Sequence, residues 1–288
     1  MIARLLPRNA LAGRRLGLSA SDNVPDLARL GLDGRHFRLA LAEMARLVLL
    51  GGGTLAWGGH LEPNGLTPLL VEEIRRYGCD VAAGTHEDLP LLVVLAWPVH
   101  RNTPLKRLDE TNDQLGGLGQ LLCLDREGNE VEYWARRDED PRPVRDVQEA
   151  RDGLTAMRQK LVALTSGRLM IGGKCTGFSG RLPGLVEEAL LSLVAKQPLY
   201  LAAGFGGATA EIARVLSLPM DWLPDTPKVR RDVELDEGLA LIKDQLRKTP
   251  PADTGLDEAA QAHLARTHRP SEIATLVSQG LFRLASRP

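Results

Sequence analysis

Short apolar runs alternate along this chain with longer stretches of helical period, and that alternation restricts the fold more than any other feature. "RLGLSAS" (15–21), "TLAWGG" (54–59), "PLLVVLAWP" (90–98), "RLMIGG" (168–173) and "PLYLAAGF" (198–205) each read as a strand. They are largely apolar, as expected of strands covered on both faces. Helical periods fill 35–52, 66–78, 147–167, 183–196 and 207–216. Parallel strands need crossovers of this length, so a βα repeat predicts α/β architecture. The expected fold is a Rossmann-like, doubly wound parallel sheet of five or more strands.

Two stretches interrupt the repeat. Residues 99–143 form a polar insertion whose "DREGNE" (125–130) predicts a turn between two strands, as a β-hairpin excursion or a lid over a site. After residue 217 the strands stop, and three short helical patterns (234–248, 255–267, 270–285) follow, separated by Pro and Gly. The third predicts a helix with Ser271 as N-cap and Glu272 in its first turn. The expected organisation is a nucleotide-binding domain over 1–217, carrying the insertion 99–143, and a helical C-terminal extension over 218–288.

Charge narrows the partners. Lys plus Arg (36) nearly cancel Asp plus Glu (37), so no overall field draws a nucleic-acid backbone or an anionic membrane. No run reaches the about 18 apolar residues of a membrane span, and no signal-peptide core is present. The three cysteines, Cys79, Cys123 and Cys175, form neither a disulfide framework nor a CxxC site. A soluble, cytoplasmic protein is expected, with no metal and no cofactor.

Two glycine-rich loops stand at strand-to-helix junctions. "IGGKCTGFSGRLPGLVEE" (171–188) has Gly172 and Gly173 at a strand end, Gly180 in the turn, and Pro183 with Gly184 at the start of a helix presenting Glu187 and Glu188. "GFGG" (204–207) opens the next helix. Glycine lets backbone N–H groups approach an anion, and a helix start carries partial positive charge. The same glycines also serve any tight turn, so the loops alone do not decide between a ligand and a packing role. "IGGKCTG" lacks the order of a P-loop, and "GFGGAT" fits the dinucleotide fingerprint only loosely, with no acidic partner at the next strand end. Neither a triphosphatase nor a nicotinamide dehydrogenase is indicated.

The segment "LTAMRQKLVALTSGRLMIGGKCTGFSGRLPGLVEEALL" resembles the SLOG superfamily. That Rossmann-like group contains the lonely-guy phosphoribohydrolases, the DNA-processing DprA/Smf proteins and sensor domains of prokaryotic conflict systems. Met157 and Arg158 match the helix part of the lonely-guy pattern, Gly172 and Gly173 its strand end, and Glu187 or Glu188 its acidic position. No proline precedes the glycine pair, and the compact GGxGT is expanded to "GGKCTGFSGRLPG". With the later "GFGG", and with "GLSAS" and "LAWGGH" at the first two strand ends, this form is more similar to the sensor branch than to the hydrolases. The resemblance covers about residues 13–217.

Ligand-binding candidates follow from position at the carboxyl edge of the sheet, where open α/β folds bind ligands. They are Ser19, Ser21 and Asn23 after the first strand and Gly58, Gly59 and His60 after the second. Arg158, Gly172, Gly173, Lys174, Gly180, Pro183, Gly184 and Glu187 belong to the first glycine loop; Gly204, Phe205, Gly206 and Gly207 form the second. Arg158 suits a phosphate through its planar fork. Trp57 and Trp97, at strand ends, offer faces to a base, although core packing is the commoner use of such rings.

The resemblance and the paired loops imply a module that binds a nucleotide or NAD-derived molecule, ADP-ribose-like, and signals to a partner or through a homo-oligomer. The alternative is an N-glycosidase or phosphoribohydrolase, in which Glu187 or Glu188 and Arg158 are catalytic. DNA binding is disfavoured by the charge balance.

Overall fold

The computed structural model describes residue 7 and residues 9–22, 27–78, 89–136, 141–223 and 231–286. Asn23 and Cys79 lie outside the described residues.

The sheet runs through β1 (Arg15–Ser21), β2 (Thr54–Gly58), β3 (Leu91–Leu95), β4 (Gly119–Leu124), β5 (Glu130–Val131), β6 (Gly167–Gly172) and β7 (Leu199–Ala202). Their order is β5-β4-β3-β2-β1-β6-β7, and every pairing is parallel except β4 with β5. The five expected strands thus form the core of a seven-stranded sheet. The expected third strand stops at Leu95: Trp97–Asn102 is a helix, α3, whose Pro98 sits in the first turn, where the missing N–H costs nothing.

The insertion extends the sheet. Its helix α4 (Leu105–Leu115) returns the chain to β4, which pairs with β3 in register Leu91↔Gly119 to Leu95↔Cys123. The "DREGNE" turn then folds β5 back as a two-residue antiparallel strand. Asp125 accepts from Asn129 N at 2.8 Å and from its side-chain amide at 3.0 Å, and that asparagine holds the turn's shape.

Helices α1 (Gly34–Leu50), α2 (Leu66–Tyr77), α5 (Val147–Ala163), α6 (Gly184–Val194) and α7 (Gly207–Val215) complete the repeat. α1 starts on Asp33, whose carboxylate accepts from Arg35 N at 2.8 Å while the His36 ring closes a capping box. Strand side chains alternate between two cores. Leu16, Leu18, Leu55, Val93 and Ile171 pack beneath α1, α2 and α4. Met170 and Leu201 meet α6 and α7 on the other face, and Ala56, Leu92 and Val94 meet α5.

The C-terminal helices embrace this sheet. α8 (Val233–Lys248) lies over α6 and α7, α10 (Pro270–Ala285) fills the groove beside α1, and α9 (Glu258–Arg266) covers the β7 edge. α10 begins two residues earlier than Ser271 implies: Pro270 takes its first position, Arg269 is the N-cap, and Glu272 is in the first turn. Proline's fixed φ favours that start, and Arg269 bonds Glu272 at 3.0 Å.

Candidate functional site

The chain turns one way after β1 and the other way after β6, so the carboxyl ends of these neighbours form the sheet's switch point. Ser21 pairs with Gly172, and Gly173 N donates to Ser21 O at 3.1 Å. The first glycine loop therefore leaves the sheet beside the first strand's end, and Pro183 and Gly184 deliver it into α6.

Two buried ion pairs stand where α5, α6, β1 and β6 meet. Arg158 of α5 donates to Glu187, whose other oxygen accepts from the Thr155 hydroxyl. Arg168 of β6 has no exposed surface; its Nη1 donates to Glu188 Oε2 and to Ser19 Oγ, each at 2.9 Å. Ser19 in turn donates to Glu188. Arg168 Nε donates to Ser192 Oγ at 3.1 Å, and Ser192 donates to Gln197 at 2.9 Å. Gln197 closes the chain on the Thr165 carbonyl at 2.7 Å. Burial draws the Arg168 guanidinium below its ordinary pKa and Glu188 opposes that shift; it remains a cation, because arginine does not deprotonate in proteins.

Adjacent glutamates thus serve different partners. One residue is about 100° of helix turn, so Glu187 points to α5 and Glu188 to the sheet. Both carboxylates are nearly solvent-free, each shared with an arginine.

The glycines have specific neighbours. A Cβ at Gly180 would lie 2.8 Å from Arg158 Nη1, and one at Gly184 would lie 3.1 Å from its Nη2. Their missing side chains make room for the guanidinium. Gly177 N donates to Asp232 Oδ2 at 2.9 Å, and Asp232 N donates to the Cys175 carbonyl at 3.2 Å. Asp232 is the N-cap residue of α8, so the loop is fastened to the C-terminal helices. Lys174 is exposed and Cys175 buried.

The second loop lies behind the first and is wholly buried. Ala208 N donates to Gly173 O at 3.1 Å, and Gly207, at φ +65°, brings its own Cα so close that a Cβ would sit 2.4 Å from that carbonyl. At Gly204 a Cβ would meet the Thr267 carbonyl at 2.2 Å. Gly206 also has positive φ, at 72°. Phe205 is fully buried and meets Phe37 edge-on at 5.7 Å. Gly204, Phe205 and Gly207 are thus closely packed, and Gly206 holds a backbone conformation that favours glycine.

At the second strand end, Gly58 faces Met157 and Leu161 of α5, and Gly59 is crowded by the Trp57 indole. Trp57 is buried, donating to Thr67 Oγ1 at 3.0 Å; Thr67 donates to the His60 carbonyl at 2.8 Å, and the residue His60 is exposed. Trp97 is half-buried at the start of α3. The structure therefore brings Ser19, Arg158, Gly180, Pro183, Gly184, Glu187 and Glu188 together, with Ser21, Gly172 and Gly173 alongside. Lys174 and His60 stand exposed outside the buried pairs.

Sequence reasoning missed Thr155, Arg168, Ser192, Gln197 and Asp232. Arg168 did leave a signal: it interrupts an apolar strand in phase with Met170, on the face that meets α6. Ser192 stands four residues after Glu188, on the same helical face. Asp232 left none, because its partner is 55 residues away.

A glycine loop, strand-end hydroxyls and buried helix-start carboxylates at the switch point of a parallel sheet define a Rossmann-like protein of the nucleotide-related kind. The chain belongs to the SLOG superfamily: the family model described as SLOG cluster2 matches residues 10–249, from before β1 through the end of α8. No curated protein matches the chain. Among the described residues no helix is long and apolar enough to cross a membrane, and no cluster of His, Cys, Asp or Glu could hold a metal ion.

Proposed function

We propose that this chain binds and senses a nucleotide or NAD-derived small molecule, ADP-ribose-like in its phosphates and ribose, and passes occupancy to a partner or a second copy of itself. The observation that carries the reading is Arg158. It is a buried cation at the switch point, flanked by two glycines of the first loop, and its Nε has no hydrogen-bond partner. Ser19, Ser21, Gly172, Gly173, Gly180, Pro183 and Gly184 frame the site, and the buried Gly204–Gly207 loop supports it from behind.

Binding without turnover is favoured because, before a ligand arrives, Glu187 is bonded by Arg158 and Thr155, and Glu188 is held through Oε2 by Arg168 and Ser19. A base or oxocarbenium stabiliser needs a carboxylate facing the substrate. Coupling to the rest of the molecule has a route in Asp232, which joins the first loop to α8. The phosphoribohydrolase reading keeps one point in its favour, the contact of Arg158 with Glu187 beside the loop.

Thermal unfolding and chromatography of the pure protein with AMP, ADP-ribose, NAD and cyclic ADP-ribose isomers separate the two readings. Binding at a hundredfold excess over Kd stabilises the fold by about 2.7 kcal/mol. Such stabilisation with no base released is the expected result. Rapid base release that disappears in Glu187→Gln and Glu188→Gln would overturn it in favour of the enzyme.

A further inference from the structure

The ion pair at the first loop has a consequence for which ligands the site accepts. Arg158 is more than nine-tenths buried, one of its terminal nitrogens bonds Glu187, and its Nε lacks a partner, the nearest oxygen of Glu188 being 3.9 Å away. Gly180 and Gly184 pack directly against the guanidinium, where any larger residue would press on it. Arg168 and Ser19 hold Glu188 through Oε2, and its Oε1 stands beside Arg158 Nε beyond hydrogen-bond distance.

We propose that Glu187 is an internal stand-in for the ligand's phosphate: its carboxylate occupies the Arg158 donors that an anionic ligand takes over. This rests on the reading of the loop as a nucleotide site. A carboxylate ligand offers Arg158 nothing that Glu187 does not already supply. A phosphomonoester or diphosphate brings more charge and more acceptor oxygens, and can reach the spare Nε as well. The site therefore selects phosphorylated ligands over carboxylates and unphosphorylated nucleosides. The displaced Glu187 keeps the Thr155 hydroxyl and lies in the first turn of α6, where the helix dipole favours negative charge. Glu187 then has that hydroxyl alone in a buried setting, so exchange requires the ligand's added contacts to Arg158 to exceed the cost.

The test is calorimetric titration of inorganic pyrophosphate, ADP-ribose and adenosine into the wild type, Glu187→Gln, Thr155→Val and the double variant Glu187→Gln/Arg158→Gln. Removing the competing charge should tighten pyrophosphate and ADP-ribose by about tenfold or more, as for other close charge pairs. Adenosine should not respond. Thr155→Val, which loosens Glu187 without deleting it, should tighten them less, and it carries the test if Glu187→Gln does not fold without ligand. The gain should vanish in the double variant. If wild type binds ADP-ribose and neither single variant binds tighter, the exchange is overturned while the nucleotide reading stands. If Glu187→Gln gains pyrophosphate but no variant binds ADP-ribose, the exchange stands and the nucleotide reading falls. No binding to any variant overturns both.

Discussion

Arg168 depends on Glu188 for its charge, because no part of it reaches solvent. Arg168→Met leaves that carboxylate buried with one hydrogen bond, from Ser19, and Arg158 Nε at 3.9 Å, and loss of one member of such a pair costs about 3–5 kcal/mol. Urea denaturation of the variant should show that loss. Arg168→Met/Glu188→Leu should recover much of it, since a buried ion pair replaced by apolar residues of similar size is often nearly neutral. Gly204 has the opposite sensitivity, to added volume. Its Cβ would meet a backbone carbonyl that cannot swing aside, so Gly204→Ala should cost on the order of 1–3 kcal/mol. At this scale the sequence was half readable. The motif exposed Arg158, Glu187 and Glu188, but not which arginine each glutamate meets: Arg168 and Ser19 are 149 residues apart, and no local period encodes their contact.

Among the elements, the loop-to-α8 fastening and the α9–α10 junction are the places to intervene. Asp232→Ala removes the acceptor for Gly177 N, so hydrogen exchange at that amide should speed up while the amides of β6 stay protected. Equal protection in the variant would show that the fastening carries no weight. At the other junction the Thr267 hydroxyl, then Arg269 and His263, hold the Glu272 carboxyl below its ordinary value against the opposing effect of burial. A carboxyl lowered on folding stabilises above its unfolded pKa of about 4, and that contribution disappears as pH falls through the lowered value. Urea titrations from pH 7 to 3 should therefore show a shallower acid loss in Glu272→Gln than in wild type. The strands that feed the site were legible as apolar runs. Of the insertion, the hairpin turn at "DREGNE" was legible and the place of β4 in the main sheet was not, because β4 joins through a register that only β3 defines.

At the scale of the molecule, the family match ends at residue 249, yet α10 completes a core begun by α1. Ile273, Val277 and Leu281 are buried there, each contributing roughly 1.5–3 kcal/mol. A chain cut after Thr249 should bind a hydrophobic dye and elute as aggregate on size exclusion, while a compact, dye-silent monomer would show that α9 and α10 are dispensable. Sequence alone determined the βα repeat, the switch-point loops and a helical C-terminus, because burial on two faces writes a period into each segment. Tertiary structure decided the rest. It split Glu187 from Glu188, committed "GFGG" to close backbone packing, set Asp232 on the first loop and wrapped the last helices around both faces. Such choices depend on which distant groups share a desolvated space, and pairing across that space leaves no mark on local periodicity.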